Sequence, residues 1–358
     1  MNAAGAPPRA DGAIGDYALV PATSIDHAAL VAFTSAIWPE VSPEARINTF
    51  WWMRARPDYA VAALHRATGA FAGLCGGRHC VFKIGGRDIP AVAICDWYVA
   101  PAHFGKGLGK RLVQHFETPG RFLYAFSISD AAITNFEKLG WTGPHRSSLQ
   151  LLLVPPTLAR HLAPQRLSGE LAFNCFERGE GEPLGALGNA LDSIEVRRGS
   201  TAAHMRRDAT EWTWRLSVCG PRRYRFCVAS RSGEPVGYVA VRRMMSGRTR
   251  GLDRLHAAII TDLTAVDDDV TLLGALAGKA VALAADLGAR AMLTATTVPA
   301  HRAALGRMGF CSPATPLVGR LLASRAPQFM WLPRGAGEGL AAGDLSLSFA
   351  DVAIDLDL

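Results

Sequence analysis

The chain repeats one order of features. Trp51-Trp52-Met53-Arg54, followed by Pro57 and Tyr59, returns as Trp212-Thr213-Trp214-Arg215, followed by Pro221 and Tyr224. After each Tyr comes a strand-like run, 60–65 or 225–230, then a tight turn with Gly69 or Gly233 and a second strand carrying Gly73 or Gly237. That is a β-hairpin signature used twice. Runs rich in Val, Ile and Ala at 91–99 and 257–265 read as buried strands, each leading into a helix, 107–116 or 270–287. In the second helix Leu272, Leu273, Leu276, Ala280, Leu283 and Ala284 recur at helical spacing. Strands at 122–126 and 291–295 follow. Each copy then ends on a short helix and a matching phrase, Lys138-Leu139-Gly140-Trp141 or Arg307-Met308-Gly309-Phe310. The Gly stops the helix and the aromatic packs back on it. So many features in one order predict a duplicated α/β unit.

A length of 358 residues agrees with two domains. The expected limits are a disordered Ala/Gly/Pro-rich tail at 1–16, a first unit at 17–154, a Pro-containing linker at 155–169 and a second unit at 170–358. The end, 344–358, reads either as an edge strand or as an acidic tail. Hydrophobic residues at 49% against 19% charged argue for a packed chain. The most apolar stretch, 275–295, is interrupted by Lys279, Asp286 and Arg290, so no membrane span is expected. Residues 1–16 lack the apolar core of a secretory signal. The seven cysteines are odd in number and include no CxxC, which points to free thiols in a reducing cytoplasm. His79 and Cys80 are adjacent, a poor ligand geometry, and no metal site is expected. A net charge of +7 favours an anionic partner, but the Arg and Lys residues are scattered, unlike a nucleic-acid-binding arm.

One segment concentrates chemistry: Val99-Ala100-Pro101-Ala102-His103-Phe104-Gly105-Lys106-Gly107-Leu108-Gly109-Lys110-Arg111. A strand runs out, a Gly-rich loop follows and a helix begins within it. Free N–H groups and the dipole at a helix start attract anions. Glycines let the backbone approach a pyrophosphate, and Lys106, Lys110 and Arg111 add positive charge. The Walker pattern GxxxxGK[ST] is absent, and a dinucleotide GxGxxG frame fails at Leu112.

The phrase resembles the acyl-CoA loop of the GNAT superfamily of N-acyltransferases, V-x-P followed by R/Q-x-x-G-x-G/A. Val99, Pro101, Gly107 and Gly109 fall on those positions, and Phe136-Glu137-Lys138-Leu139-Gly140-Trp141 resembles the family's later Y-E-K-L-G-F helix end. The resemblance covers about 17–154, and more weakly about 171–332. It implies an α/β (α+β) fold of two tandem GNAT-like units, each a mixed, mostly antiparallel sheet flanked by helices. It also implies acyl-CoA, acetyl-CoA by expectation, as co-substrate, bound by Val99, Phe104, Gly105, Lys106, Gly107, Leu108, Gly109, Lys110 and Arg111. The acceptor is then a small-molecule or peptide amine, with no nucleic acid or membrane span expected and a homodimer compatible with the fold.

The departures are specific. The family's Arg or Gln is Phe104, its thiolate-protonating Tyr is Phe136, its frequent Glu is Ala93, and its Asn opening the last helix is Ser129. The Val99 N–H, as the resemblance implies, serves as oxyanion donor and needs no side chain. Asp96, Tyr98 and His103 are the candidate bases, with Asp96 preferred as the proton relay. By strand alternation Asp96 and Tyr98 share one face, opposite Trp97 and Val99. Tyr124, Ser127 and Ser129 are candidate acids, Ser129 doubling as a helix N-cap. Trp51, Trp52 and Arg54 read as core packing or as an acceptor wall. In the second copy, Asp267, Asp268 and Asp269 replace the Gly-rich loop, cap the helix and repel CoA phosphates. His301 and Arg302 are expected at the surface or lining a cleft between halves. Acyl transfer to an amine is the leading reading. A catalytically silent acyl-CoA-binding or scaffold protein and a tRNA-dependent aminoacyl transferase are the alternatives.

Overall fold

The computed structural model describes residues 15–37, 56–152, 158, 171–199, 202–218, 222–244, 256–312 and 327–351. Trp51, Trp52 and Arg54, the tail at 1–14 and the linker save Leu158 lie outside the described residues. The strands are β1 (Tyr17–Pro21), β2 (Ala60–His65), β3 (Phe71–Ile84), β4 (Arg87–Val99), β5 (Phe122–Phe126), β6 (Thr142–Arg146) and β7 (Ser148–Leu152). They continue with β8 (Leu171–Arg178), β9 (Ala203–Met205), β10 (Tyr224–Arg231), β11 (Glu234–Arg243), β12 (Ala257–Ala265), β13 (Ala291–Thr296), β14 (Gln328–Trp331) and β15 (Leu345–Ser346). The helices are α1 (His27–Ile37), α2 (Leu108–Gln114), α3 (Asp130–Lys138), α4 (Ala186–Arg197), α5 (Ala209–Ser217), α6 (Val270–Asp286) and α7 (Pro299–Arg307).

The duplication is realised as two sheets. The first runs β1-β2-β3-β4-β5-β14-β6 and the second β8-β10-β11-β12-β13-β7. Along each of these orders, neighbouring strands are antiparallel except one central pair. β4 pairs with β5 in parallel only over Ala91–Ala93, and β12 pairs with β13 in parallel only over Ala257–Ile259. Beyond those residues the strands part, leaving a notch in each sheet. The hairpins β2–β3 and β10–β11 sit where the repeat placed them. In the second, Arg231 faces Glu234 and the turn residues Ser232 and Gly233 have φ of 52° and 87°. A two-residue turn with both φ positive matches the strand twist. A Cβ on Gly73 would stand 2.9 Å from the Leu112 side chain, and one on Gly237 would stand 3.0 Å from Leu276. In both units, therefore, the central helix lies down on a strand at a residue without a side chain.

One feature of the topology cuts across the sequence halves. β14, from the second half, inserts between β5 and β6 of the first sheet. β7, from the first half, pairs with β13 of the second. The second sheet thus borrows β7 from the first half, while the first sheet takes β14 into its middle and β9 and β15 alongside β3. The crossing is tied where the chains meet: Ser147 donates to the Pro327 carbonyl through N–H (3.0 Å) and hydroxyl (2.8 Å).

Packing follows the sheets. Helices α2 and α3 cover one face of the first sheet through Leu108, Leu112, Val113, Phe116 and Phe136. Helices α6 and α7 cover the second through Leu272, Leu276, Ala280, Val281 and Leu305. The remaining faces bury Phe82, Phe122, Tyr124, Leu151, Ile259, Leu293 and Trp331 against each other in one shared core. Of the two sequence readings of the C-terminal segment, strand holds for Leu345–Ser346, which pairs in parallel with β9.

Candidate functional site

The first notch opens between the ends of β4 and β5. Its shape starts with a bulge. Leu74 faces Tyr98 and Gly76 faces Cys95, so β4 carries one extra residue there. Asp96 is in that stretch with φ of 46°, a left-handed value uncommon for a side-chain-bearing residue. The simple alternation expected through Asp96 is broken. Val92 and Ile94 face the α2 side before the bulge, and Trp97 and Val99 face it after. Tyr98 turns to α1, where Phe33 meets it edge-on at 5.9 Å.

The bulge also decides where backbone donors point. Ala100 N–H bonds the Ala72 carbonyl at 2.8 Å, and Val99 faces Gly73. Hydrogen-bonded and non-bonded pairs alternate along an antiparallel ladder. The Val99 N–H is therefore directed away from β3, toward the side where β5 has already separated.

The loop after Val99 begins with a short 3-10 turn, Pro101–His103, then opens out. Phe104, Gly105, Lys106, Gly107, Lys110 and Arg111 are exposed, while Leu108 is buried and anchors α2. The first three N–H groups of the helix, at Leu108, Gly109 and Lys110, precede its first internal bond, Arg111 N–H to the Gly107 carbonyl. Gly107 is the N-cap with φ of 71°, and a Cβ there would meet nothing within 4 Å. Backbone conformation requires that glycine. Gly109 is different: a Cβ would approach the Trp97 ring to 3.2 Å, and Trp97 Nε1 donates to the Gly109 carbonyl at 3.1 Å. Its small size seats the loop on β4. His103 Nδ1 lies 2.9 Å from the Tyr17 hydroxyl, which binds the loop's start to β1.

The acid and base candidates separate clearly. Asp96 stands beside the Cys75 and Cys95 thiols, which burial, with this carboxylate adding to it, pushes well up. Ser129 is the N-cap residue of α3 by position but makes no side-chain capping bond, and it is exposed. Ser127 has φ of 64° and is half-buried. Tyr124 faces the shared core, not the notch. It is 1% exposed, donates to the Asp351 carbonyl at 3.2 Å, and burial pushes its hydroxyl well up. Phe136 is buried between Trp97 and Trp141, with ring centroids 4.7 and 4.5 Å away. Ala93 is buried where the parallel pairing ends.

The second notch, between β12 and β13, is filled by the protein itself. Ser348 bridges to Thr296, Leu347 N–H bonds Thr297 Oγ1 at 2.8 Å, and the Ser348 hydroxyl bonds Asp262 at 3.1 Å. The turn Phe349–Asp351 packs over both strands. Only one of the three aspartates caps α6 as expected. Asp269 accepts from Thr271 N–H at 2.8 Å and Leu272 N–H at 3.3 Å. Asp268 faces His301 at 3.6 Å, and Asp267 lies against Gly199. His301 is 4% exposed and so lines no open cleft, while Arg302 is at the surface.

Around that filled notch is a buried ionic network that sequence reading did not single out. Arg207 Nε contacts Asp262 at 3.0 Å and its Nη2 contacts Asp351 at 2.6 Å. The Tyr238 hydroxyl donates to Asp262 at 2.5 Å and Trp212 Nε1 donates to Tyr238 at 3.1 Å. Glu195 accepts from Arg207 N–H at 3.1 Å and lies 3.2 Å from His204. Burial pushes the Asp262 carboxyl up, but the Arg207 charge and the Tyr238 hydrogen bond outweigh it and hold it below the usual range. Asp262 stands three residues before the end of β12, as Asp96 does before the end of β4. That shared position was the available sequence signal.

Residues 26–141 match the model of the acetyltransferase (GNAT) family. No curated protein matches the chain in sequence. Among solved structures, a GCN5-related N-acetyltransferase from Anabaena variabilis is 12% identical, with TM-score 0.53 over 89% of this chain and 73% of that one. A tandem GNAT protein from the clavulanic acid biosynthesis pathway is 13% identical, with TM-score 0.51 over 88% and 97%. The Saccharomyces cerevisiae N-myristoyltransferase, solved with bound myristoyl-CoA, is 9% identical, with TM-score 0.51 over 97% and 90%. At these identities the likeness is one of fold.

Proposed function

We propose, for a chain with the tandem GNAT fold whose residues 26–141 match the GNAT acetyltransferase family model, that it binds one acyl-CoA, acetyl-CoA first, and transfers the acyl group to an amine. The observation that carries this reading is the asymmetry of the two notches. Among the described residues no segment is bonded across the first, which lies beside a Gly-rich loop with exposed Lys106, Lys110 and Arg111. The second is closed by Leu347 and Ser348 and bordered by carboxylates.

In the reading, the N–H groups of Leu108, Gly109 and Lys110 cradle the pyrophosphate, and Gly105 and Lys106 flank it. The thioester lies in the notch with its carbonyl at the Val99 N–H. The amine attacks the carbonyl carbon and the C–N bond forms, the resulting oxyanion accepts from the Val99 N–H, and its collapse breaks the C–S bond and releases the thiolate. The amine must lose a proton, and Asp96, at the bulge, is the nearest carboxylate on β4 to take it. With Phe136 apolar and buried, the thiolate takes its proton from water or from the Ser129 hydroxyl at the notch mouth. That same apolar Phe136 is the observation favouring the second reading, a catalytically silent acyl-CoA-binding protein.

Titration calorimetry with acetyl-CoA tests the donor site: one CoA per chain is expected, and Gly107→Asp abolishes it. Two equivalent sites, or none, defeat the reading. CoA release with a panel of amines separates enzyme from silent binder. In the enzyme, Asp96→Asn lowers kcat by about 10²–10⁴-fold with acetyl-CoA affinity unchanged. An unaltered rate makes Asp96 structural.

A further inference from the structure

The edge of the second sheet carries a pair of thiols with no part in the acyl-transfer reading. Among the described residues β8 is an edge strand bonded to β10 alone, and in that antiparallel pair Cys175 faces Cys227 directly. Directly opposed residues in such a ladder have Cα atoms about 4.5–5.5 Å apart, inside the range a disulfide spans. The two sulfurs stand 2.8 Å apart, and both thiols are free. One is accessible and the other is not: Cys175 is exposed, while Cys227 is wholly buried in the core under α6.

The surroundings favour a thiolate at the accessible sulfur. The hydrogen bond with Cys227 brings the Cys175 thiol down to about 7, with Lys279 adding positive charge against burial and Asp286. The same hydrogen bond, then burial, pushes Cys227 up. Lys279 reaches over from α6, its Nζ 4.6 Å from the Phe173 ring, two residues from Cys175 on the same strand. Burial pushes the thiols of Cys75, Cys80 and Cys95 up, so they differ in kind.

We infer that Cys175 and Cys227 are a reversible dithiol–disulfide pair, oxidised by small-molecule disulfides of the glutathione class, that staples the edge strand β8 to β10. The Cys175 thiolate attacks one sulfur of the disulfide, forming a mixed disulfide and releasing one thiolate. Cys227 then attacks the Cys175 sulfur, the internal S–S bond forms, and the second thiolate leaves. Two electrons pass to the small disulfide, and the two thiol protons end on its two released thiols. The accessible, more acidic sulfur attacks first and the buried one resolves, a division of labour that exposure imposes. The bond joins residues 52 apart in sequence, so it removes chain entropy from the unfolded state while tying the edge strand to β10.

The full chain, equilibrated in buffers of graded reduced-to-oxidised glutathione, then acid-quenched, alkylated and mapped by non-reducing mass spectrometry, tests this. A linked peptide containing Cys175 and Cys227 is expected to appear before oxidation at Cys75, Cys80 or Cys95. It should reverse with dithiothreitol, and its formation should raise Tm. Cys227→Ser should trap one glutathione on Cys175, and Cys175→Ser should leave Cys227 unmodified. Arrest of the unaltered chain at the mixed disulfide, or Cys175 linking two chains, would overturn the pairing. A disulfide that leaves Tm unmoved would overturn the staple.

Discussion

Replacing Arg207 with Met removes a cation that touches both Asp262 and Asp351. Arg207 and Asp262 are each 3% exposed and Asp351 is wholly buried, so water does not take over when the guanidinium goes. Breaking a buried pair by deleting one partner costs about 3–5 kcal/mol, because it strands a desolvated charge. Against a typical stability of about 5–15 kcal/mol, that is a large loss. The pH dependence carries the sign. In the wild type the Asp262 carboxyl is held low, so its stabilising effect is present above the unfolded value of about 3.9 and is lost as pH falls through its lower folded value. Without Arg207, burial dominates and the carboxyl rises above its unfolded value. Lowering the pH then protonates it and relieves the penalty, so the cost of Arg207→Met should shrink between pH 7 and pH 5. Urea unfolding at both pH values, with matched m-values, measures this. Adding Asp262→Asn and Asp351→Asn to Arg207→Met should recover most of the loss. A cost under about 1 kcal/mol at pH 7, or one that does not change with pH, would refute the idea that paired charge holds this junction.

Gly109→Ala puts a Cβ 3.2 Å from the Trp97 ring, tight enough to cancel the gain of about 1 kcal/mol that Ala brings to a helix; a variant stabilised by that full gain in urea unfolding would mean Trp97 gives way and does not seat the loop. Asp269→Ala should cost about 1 kcal/mol through the lost α6 cap, and Asp269→Asn much less, with calorimetric acetyl-CoA affinity unchanged in both. A fall in affinity would place the donor in the second unit. Phe136→Tyr restores a hydroxyl beside Trp97 and should raise CoA release in the amine assay by up to about 10²-fold, or leave it unchanged. A slower variant would show that the ring, and not a missing acid, limits the site.

Much of the fold was legible in the sequence because local patterns wrote it twice. The runs 60–65, 122–126 and 257–265 are strands with those same limits, since apolar periodicity and turn residues are local signals. The loop from Val99 to Arg111 was legible for the same reason: the order strand, glycines, helix is a property of neighbouring residues. The role of Gly109 was not, because its constraint is the Trp97 ring, which a β-bulge twelve residues upstream brings over it. Nor was the bulge itself, since period-2 reading assumes an unbroken ladder and Asp96 breaks it. The exchange of β7 and β14 left no mark in sequence, because a strand's pattern states which face it buries and not which sheet receives it. The second notch shows the division most plainly. The carboxylates at 267–269 already made it a poor phosphate site, but what fills it is Ser348, 86 positions beyond its partner Asp262. Arg207, Asp262 and Asp351 look like unrelated surface charges when read in order, the outer two being 144 positions apart. Burial alone makes them a unit, because a charge removed from water must find its partner wherever the tertiary fold delivers one.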